Sequence, residues 1–423
     1  MVKLAFPELT LIGSFNGKNL YKATKQIENC VLSFIELDIF PKVFIRSKNS
    51  KIQSLAIGSL EKFNPDFILS NPINLDVNFY GFINFDKKND STWDGFDLPF
   101  FFIPEFEVIC KDNTTCISTY SYNQNPKELL IDLSSTKESE NKISFVSESP
   151  QYQDWESLVK KQTKDISAKR LKKVVLAKKE SFETQYPINH KNTLQSLLKV
   201  PNTHAFAIIL DQDNGFFGAS PETLYTKTNQ TISTEAIAST RKRGNSLKED
   251  LELEKQMLKS SKDLTEFSEV QTGIENSLNT LCSKVKRSPV SVYKNTYVQH
   301  LRCEFKATTE ASSFEIINSL HPTPAIGGFP KKEAVKRILE LEPFSRRLYS
   351  SILGSKGKNK EEFIVAIRSF IVNKTLLTAF AGVGLVEKSE PEKEWQELSI
   401  KIESIIKGAG FEITRRNLCP LNH

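Results

Sequence analysis

Two pairs of acidic residues could do chemistry because each pair has a three-residue spacing. Asp263 and Glu266 lie in "SSKDLTEFSE", and Glu394 and Glu397 lie in "SEPEKEWQEL". Side chains three positions apart on a helix share one face, so two helices could each direct two carboxylates to one point. Mg²⁺ favours a few carboxylates, several waters and an anionic substrate. The spacing therefore allows a magnesium site. The alternative is that both pairs simply lie on the water-exposed faces of their helices.

The elements that carry these pairs are predicted from periodicity. Residues 247–283 have the pattern of one long helix or two helices, and a last helix is expected after Ser389 as N-cap, with Pro391 in its first turn. Upstream, "KNLYKATKQIENCVLSFI" has helical spacing and "DFILS" resembles a strand. Strand-like and helical segments alternate without a regular βαβ rhythm. A mixed α/β chain is expected, and Rossmann and TIM-barrel folds are disfavoured.

Composition excludes several classes of protein. The net charge of +6 comes from 57 Lys and Arg against 51 Asp and Glu, without basic blocks, which disfavours nucleic-acid binding and suits a small anionic substrate. The chain lacks HExxH, P-loop and GxSxG motifs and any apolar run long enough to span a membrane. Six irregularly spaced cysteines and an N-terminus unlike a signal peptide predict free thiols in the cytoplasm.

Several segments together resemble the chorismate-utilising enzymes, which include isochorismate synthase, salicylate synthase, and the large subunits of anthranilate and aminodeoxychorismate synthases. The resemblance is diffuse before residue 150 and dense from about 165 to 405. The segments, in the order of the family, are "KKVVLAK", "FGASPETLY", "STEAIASTRKRG", "SKDLTEF", "VQHLRCEF", "LHPTPAIGGFPKKEA", "EPFSRRLYSSILG", "VAIRSFIV" and "AFAGVGLVEKSEPEKEWQELSIK".

The resemblance implies an α/β (α+β) fold in which two β-sheets pack together, helices lie outside, and the active site occupies the cleft between. Residues 1–423 would form one large unit. Residues 1–150 would be its divergent N-terminal part and residues 151–410 its catalytic core.

Two residues would carry the chemistry by resemblance. Members that use ammonia have glutamine before the "VV" strand and members that use water have lysine, which here is Lys173. A lysine can take a proton from water if burial pulls its pKa from about 10.4 towards 7–8. The general acid directly after Ser-Pro would be Glu222, with a pKa raised by an apolar cleft.

The family's substrate contacts fall on two groups of residues. The pyruvyl carboxylate would bind Arg368 and Tyr349 and the amides around Gly382 and Gly384, because an arginine fork suits a carboxylate. Lys401, also counted among the substrate-binding residues, lies four residues after Glu397 and would hold the Glu397 carboxylate in place.

The ring of the substrate would meet the second group. Its carboxylate would bind Mg²⁺ and amides near Ser239 and Thr240, and His300 would line the ring pocket. Salicylate-forming members tend to have threonine where this chain has Ala325 or Ile326, so the apolar pair resembles isochorismate synthases. The implied Mg²⁺ ligands are Glu266 and Glu397, with Glu394 and Asp263 nearby.

Three departures from the family pattern lie near this set. Ser239 replaces the usual glycine of "AIAGTR", Ser350 and Ser351 replace a small pair after Tyr349, and Arg347 is additional. Serine keeps the backbone amide but adds bulk and restricts φ. The changes leave the implied acid, base and metal ligands in place.

The expected function is that of an Mg²⁺-dependent isomerase, isochorismate synthase, in which water attacks C2 of chorismate and the C4 hydroxyl leaves. The alternatives are a salicylate synthase, an aminating synthase component, or an inactive homologue that serves as a binding protein. The product would enter menaquinone or siderophore biosynthesis. A monomer that binds neither nucleic acid nor membrane is expected.

Overall fold

The computed structural model describes residues 2–28, 31–96, 98–124, 128–131, 141–168, 171–294 and 298–415. The helices in these ranges are α1 (Pro65–Ser70), α2 (Tyr152–Ser167), α3 (His190–Leu197), α4 (Leu247–Lys259), α5 (Ser261–Leu281), α6 (Ser313–Leu320), α7 (Lys331–Leu341) and α8 (Pro391–Gly408). Short 3₁₀ helices cover Val31–Phe34 and Ser91–Trp93.

The strands lie along the whole chain. In sequence order they are β1 (Val2–Leu4), β2 (Thr10–Phe15), β3 (Lys18–Ile27), β4 (Lys42–Arg46), β5 (Gln53–Ile57), β6 (Glu61–Phe63), β7 (Phe79–Ile83), β8 (Phe101–Ile103), β9 (Phe106–Lys111), β10 (Thr114–Ser121), β11 (Leu129–Ile131), β12 (Lys142–Ser149), β13 (Lys173–Glu183), β14 (His204–Ile209), β15 (Asn214–Ser220), β16 (Thr223–Thr228), β17 (Thr231–Lys242), β18 (Ser283–Arg287), β19 (Ser291–Lys294), β20 (Val298–Thr308), β21 (Gly328–Phe329), β22 (Ile352–Lys356), β23 (Lys360–Val365), β24 (Ser369–Asn373), β25 (Leu376–Leu385) and β26 (Glu412–Arg415).

Two large sheets organise these strands. The larger has the order β2-β3-β10-β9-β5-β4-β14-β15-β24-β25-β13-β12-β26, with β21 beside β13. The smaller has the order β18-β20-β17-β16-β23-β22-β7-β8-β6, with β19 beside β20. The pairs are antiparallel except β12 with β26, and β1 pairs separately with β11. Both sheets combine strands from before and after residue 150.

The core has three parts that define the layers. An aromatic core between the sheets includes Phe82 and Trp93 on one side and Phe206 and Phe380 on the other. A second core covers the outer face of the larger sheet beneath α2, α3, α7 and α8. A third covers the smaller sheet beneath α1, α5 and α6. The expected fold, two packed sheets with helices outside, is confirmed.

Three local predictions were wrong. The first ten residues of the segment with helical spacing form β3, because they pair with β10 from Tyr21 to Ile27 and this pairing outweighs local periodicity. Val31–Phe34 of the same segment form a 3₁₀ helix. "DFILS" is part of α1, whose N-cap Asn64 accepts a hydrogen bond from the Asp66 amide at 2.8 Å. The N-cap of α8 is Glu390, and Ser389 Oγ instead accepts a hydrogen bond from the Val386 amide at 3.0 Å.

Candidate active site

One cavity of about 920 Å³ lies between the two sheets and is closed by helices. Its walls are β13 and β25 of the larger sheet, β17 and β20 of the smaller sheet, and helices α5 and α8. The predicted site residues that line it are Lys173, Glu222, Ser239, Asp263, Glu266, His300, Ala325, Ile326, Tyr349, Arg368, Gly382, Gly384, Glu394, Glu397 and Lys401. The side chain of the remaining one, Thr240, lies outside the described residues.

Lys173 is the first residue of β13 and is only 4% exposed. Its side chain passes over Gly384 of β25, where a Cβ would come within 2.5 Å of Lys173 Cε. Gly384 thus leaves the space that the lysine needs. Lys173 Nζ lies 3.5 Å from Glu266 Oε1, so a buried amine and a helix-borne carboxylate meet in the cavity.

Glu222 follows the end of β15 and is 7% exposed. Its backbone is fixed at both ends, since Ser220 Oγ accepts from its amide at 3.1 Å and its carbonyl accepts from the Val365 amide at 3.2 Å. Thr323 Oγ1 donates to Glu222 Oε1 at 2.7 Å. Burial, together with the negative charge of Glu235, raises the pKa of Glu222 to about 7. The carboxyl group can therefore hold a proton at neutral pH.

The acidic pairs on α5 and α8 lie on the cavity faces of their helices, as their spacing predicted. The side chains of Glu266 and Glu397 are 36% and 45% exposed, so water and ions can reach them. The carboxylate of Asp263 differs because it accepts a hydrogen bond from Arg241. In the ranges that the structure describes, no group of three or more His, Cys, Asp and Glu residues forms a ready-made metal site.

The two glutamates of α8 have opposite electrostatic surroundings. Burial raises the pKa of Glu394, and the charges of Glu397 and Glu266 add to the effect. Burial acts in the same direction on Glu397, but Lys401 and Arg368 outweigh it and hold the pKa of Glu397 below its usual value. Lys401 Nζ lies 2.6 Å from Glu397 Oε1, which places the lysine in the role that its spacing predicted.

The positively charged side chain of Arg368 lines the cavity beside α8. Arg368 has a left-handed φ of 54°, and its Nη1 donates to Ser404 Oγ at 3.1 Å. The Tyr349 ring stacks on Phe380, with 5.4 Å between ring centroids. A Cβ at Gly382 would come within 2.8 Å of the Tyr349 hydroxyl, so this glycine makes room for the phenol.

Three of the four residues that depart from the family pattern occupy unusual backbone conformations. Left-handed φ values occur at Ser239 (55°), Arg347 (42°) and Ser350 (61°), each of which glycine would adopt without strain. Ser239 Oγ donates to the Asp263 carbonyl at 2.8 Å and so ties β17 to α5. Non-glycine residues in this region cluster at ligand-binding sites in proteins.

His300 lies on β20 opposite Thr240 of β17. Burial lowers the pKa of His300 to about 3, and the charges of Arg368 and Lys401 act in the same direction. The imidazole is therefore neutral at physiological pH. It can contribute a hydrogen bond or a surface to the cavity.

Some functional neighbours were not predicted from the sequence. Thr323 donates a hydrogen bond to the Glu222 carboxyl group. In its segment, "HPTPAIGG", the sequence resemblance singled out only Ala325 and Ile326. Lys48 and Glu235 form a buried ion pair next to Glu222. Glu235 lies in a recognised segment, but Lys48 lies in a hairpin turn of the divergent N-terminal part, where no motif identified it.

Comparisons with known proteins identify the family of this chain. The sequence matches the model of the chorismate binding enzyme family over residues 59–410. Isochorismate synthase MenF of Bacillus subtilis is 31% identical over 352 residues, which cover 79% of this chain and 74% of that enzyme. The chloroplastic isochorismate synthase of Catharanthus roseus is 31% identical over 360 residues, which cover 78% of this chain and 62% of that enzyme.

A solved structure shares the fold. The menaquinone-specific isochorismate synthase MenF of Escherichia coli superposes with a TM-score of 0.81 at 21% identity, covering 93% of this chain and 95% of that one. The family match spans more than half of the sequence, and the Bacillus subtilis enzyme is matched over most of its length. This chain therefore belongs to the chorismate binding enzyme family.

Proposed function

We propose that this chain is an isochorismate synthase, an isomerase that converts chorismate to isochorismate. The observation that carries the proposal is the presence of two buried groups, Lys173 and Glu222, in one cavity that also contains Arg368. A buried amine can act as a base and a carboxyl group with a pKa of about 7 can act as an acid. This pair suits the exchange of one hydroxyl group for another.

In the proposed reaction, Lys173 Nζ acts as the base and takes a proton from a water molecule as the water oxygen bonds to C2 of the ring. The ring double bond shifts, and the bond between C4 and its hydroxyl breaks. Glu222 gives its proton to the departing hydroxyl, which leaves as water. Lys173 ends as ammonium and Glu222 as carboxylate, and proton exchange with solvent restores both groups.

The rest of the cavity would hold the two carboxylates of the substrate. Arg368 and the Tyr349 hydroxyl offer charged and neutral donors to the pyruvyl carboxylate. Lys401 Nζ already donates to the Gly382 carbonyl at 2.9 Å and to Glu397, so it is oriented along this wall. Ser239 and its neighbouring amides would face the ring carboxylate.

The carboxylates of α5 and α8 fit a magnesium ion. Glu266 and Glu397 are hard oxygen donors on two helices that line one cavity, and both are partly exposed to it. Two carboxylates, waters and a substrate anion make a usual Mg²⁺ environment. We propose that these two residues hold the ion, with Glu394 nearby and Asp263 engaged by Arg241. Bound Mg²⁺ neutralises and orients the ring carboxylate.

The proposal is tested by incubating the purified protein with chorismate and Mg²⁺ and separating the products by chromatography. Isochorismate is the expected product, and its formation should be lost in Lys173→Met. Folded, monodisperse protein that forms no isochorismate would refute the proposal. Salicylate with pyruvate would instead identify a salicylate synthase, and product formation that requires ammonia would identify an aminating enzyme. An inert protein that binds chorismate would be a non-catalytic homologue.

We also propose a cytoplasmic monomer whose product supplies menaquinone biosynthesis. Among the described residues, no helix has the length and apolarity to cross a membrane. Relatives of this chain include a menaquinone-specific and a vibriobactin-specific isochorismate synthase. Light scattering of the purified protein tests the monomer. The menaquinone and siderophore contents of a deletion strain test the pathway.

A further inference from the structure

A buried ion pair lies directly beneath Glu222. Lys48, in the turn between β4 and β5, extends its ammonium group to the Pro221 carbonyl and to Glu235 Oε1. The side chains of Lys48 and Glu235 are only 1% and 4% exposed. The N-terminal part of the chain thus reaches the residue that precedes Glu222.

Glu235 fixes the peptide on the other side of Glu222. Its Oε1 accepts a hydrogen bond from the Thr223 amide at 3.2 Å, and its Oε2 accepts from Arg302 Nε at 2.7 Å. The carbonyl before Glu222 and the amide after it are therefore held by the two partners of one ion pair.

His204 provides a second connection between the same segments. The Lys48 amide donates to His204 Nδ1 at 3.2 Å, and His204 Nε2 lies 2.8 Å from Thr223 Oγ1. Burial lowers the pKa of His204 to about 3, so the ring is neutral. Because Nδ1 accepts, Nε2 carries the hydrogen and donates to the Thr223 hydroxyl.

Stability alone gives little reason for such an arrangement. Taking two charges out of water costs several kcal/mol, and apolar residues of similar volume often replace a buried ion pair without loss. The pair instead makes contacts that set the position of one side chain, whose backbone it brackets. Precise placement of a reacting group is worth large factors in rate.

We propose that Lys48, acting with Glu235, is a positioning residue for the general acid Glu222. The inference rests on the proposed function, since it assigns Lys48 to the same reaction. Through Lys48, the divergent N-terminal part of the chain would help to position Glu222, which the catalytic core alone does not do.

The charges around Glu222 predict opposite effects for the two partners. Glu235, Lys48 and Lys173 face its carboxyl group, and Arg302 lies beyond Glu235. The negative charge of Glu235 raises the pKa of Glu222, and the positive charge of Lys48 lowers it. Removing Lys48 should therefore raise this pKa, and removing Glu235 should lower it.

Three other titratable groups near this pair, Tyr293, His204 and His300, keep one charge state between pH 5 and 9. Burial raises the pKa of Tyr293, whose ring faces both Lys48 and Arg302, to about 12. The pKa values of His204 and His300 are both lowered to about 3. Glu362 lies beside His204, with 3.7 Å between its Oε1 and His204 Nδ1.

The test compares pH profiles of kcat for Lys48→Met and Glu235→Gln. Activity is lost as pH rises through the pKa of the general acid. The alkaline limb of the pH profile should therefore move to higher pH in Lys48→Met and to lower pH in Glu235→Gln. Each shift should be roughly 0.5–1 pH unit for a charge at this range. Both variants should also lose roughly 10–100-fold in kcat, with KM changing less.

A matched control uses another buried lysine. Lys356 lies at the opposite end of β22 from Ile352, and its Nζ donates to the carbonyls of Ile68, Leu69 and Asn71. Lys356→Met removes a buried charge in the same way, and it should leave the pH limb unchanged. Limbs that stay fixed or move together in Lys48→Met and Glu235→Gln would overturn the proposal.

A second measurement does not depend on catalysis. Carbon-13 NMR of glutamate-labelled, substrate-free protein can follow the Glu222 carboxyl through its titration, with Glu222→Gln assigning the signal. The pKa of Glu222 should rise in Lys48→Met and fall in Glu235→Gln, as the kinetic limbs do, and an unmoved signal would refute the inference.

If the wild type makes no isochorismate, the proposed function fails, while this titration still decides whether the ion pair controls the pKa of Glu222. If Lys48→Met alone does not fold, Lys48→Met/Glu235→Gln removes both charges, and its Glu222 signal should titrate at higher pH than in Glu235→Gln, because the positive charge of Lys48 is also gone.

Discussion

The two walls of the cavity differ in how far water reaches their charged groups. On the sheet wall, formed by Lys173 and Glu222, the residues are 4% and 7% exposed. On the helix wall, formed by Glu266, Glu394 and Glu397, the Glu266 and Glu397 side chains are 36% and 45% exposed. A dry environment shifts pKa values and strengthens proton transfer, whereas a metal ligand must exchange water and ion. Under the proposed function, this difference in exposure would assign proton transfer to the sheet wall and metal binding to the helix wall.

The walls also differ in how their residues are held. Glu222 has hydrogen bonds to its amide, its carbonyl and its carboxyl group, all from neighbouring strands and loops. Glu397 is held mainly by Lys401 one turn along the same helix. The sheet wall is thus fixed by the tertiary fold, and the helix wall by local charges that a bound cation can replace.

The largest expected effect comes from replacing Glu222, the proposed proton donor of the sheet wall. Glu222→Gln should lower kcat by roughly 10³-fold, because a positioned general acid contributes about 10²–10⁴-fold. Steady-state kinetics with chromatographic detection of isochorismate measures the loss. Glu390→Gln is the control, since Glu390 has a 61% exposed side chain at the start of α8 and should retain full activity. A Glu222→Gln enzyme with more than a tenth of the wild-type rate would contradict the assignment.

The same substitution should stabilise the protein at high pH. The pKa of Glu222 is about 7 in the folded state and near 4.5 when unfolded, so the unfolded chain loses this proton first as pH rises. Stability contributed by the neutral form is then lost progressively between these values. Relative to the wild type, Glu222→Gln should gain roughly 2–3 kcal/mol in the free energy of unfolding between pH 5 and pH 8.

Urea unfolding at the two pH values measures this gain. The comparison between pH values isolates ionisation, because any packing change in the glutamine variant is present at both. Equal differences from the wild type at pH 5 and pH 8 would show that Glu222 titrates normally in the folded protein.

The two walls also differ in what could be predicted from sequence. The carboxylate pairs of the helix wall follow from a three-residue spacing, because a helix places such residues on one face whatever lies around them. Lys173 and Glu222 were assigned only by family resemblance, since a lysine in a basic stretch and a glutamate after proline have no distinctive local pattern.

Long-range pairing explains what the sequence did not reveal. Lys48 and Glu235 are 187 residues apart, and nothing in the turn that carries Lys48 indicates its partner. The segment 18–27 has helical periodicity but forms β3, because its residues pair with a strand about ninety positions later. In both cases tertiary contacts decide the outcome, and local periodicity does not record them.

A smaller effect is expected on the helix wall. Glu266→Gln should raise the Mg²⁺ concentration for half-maximal activity by roughly tenfold or more, since even indirect partners of metal ligands contribute about 10–100-fold. Isothermal titration calorimetry with Mg²⁺ gives the affinity without relying on turnover. Glu269→Gln, one turn along the same cavity wall, is the matched control and should change affinity less. Equal losses in both variants would indicate general electrostatic attraction rather than a ligand.

The smallest expected effect tests the link between the walls at Ser239. Its left-handed φ of 55° costs roughly 1 kcal/mol for a residue other than glycine, and its hydroxyl returns a similar amount through the bond to the Asp263 carbonyl. Ser239→Gly should therefore change the free energy of unfolding by less than about 0.5 kcal/mol, because it removes both terms. Ser239→Ala keeps the strain, loses the bond and should destabilise by about 1–2 kcal/mol. Urea unfolding could instead give Ser239→Gly a lower free energy of unfolding than Ser239→Ala. In that case the Ser239 hydroxyl bond between β17 and α5 does not offset the strained backbone, and the helix wall is held in place without this bond.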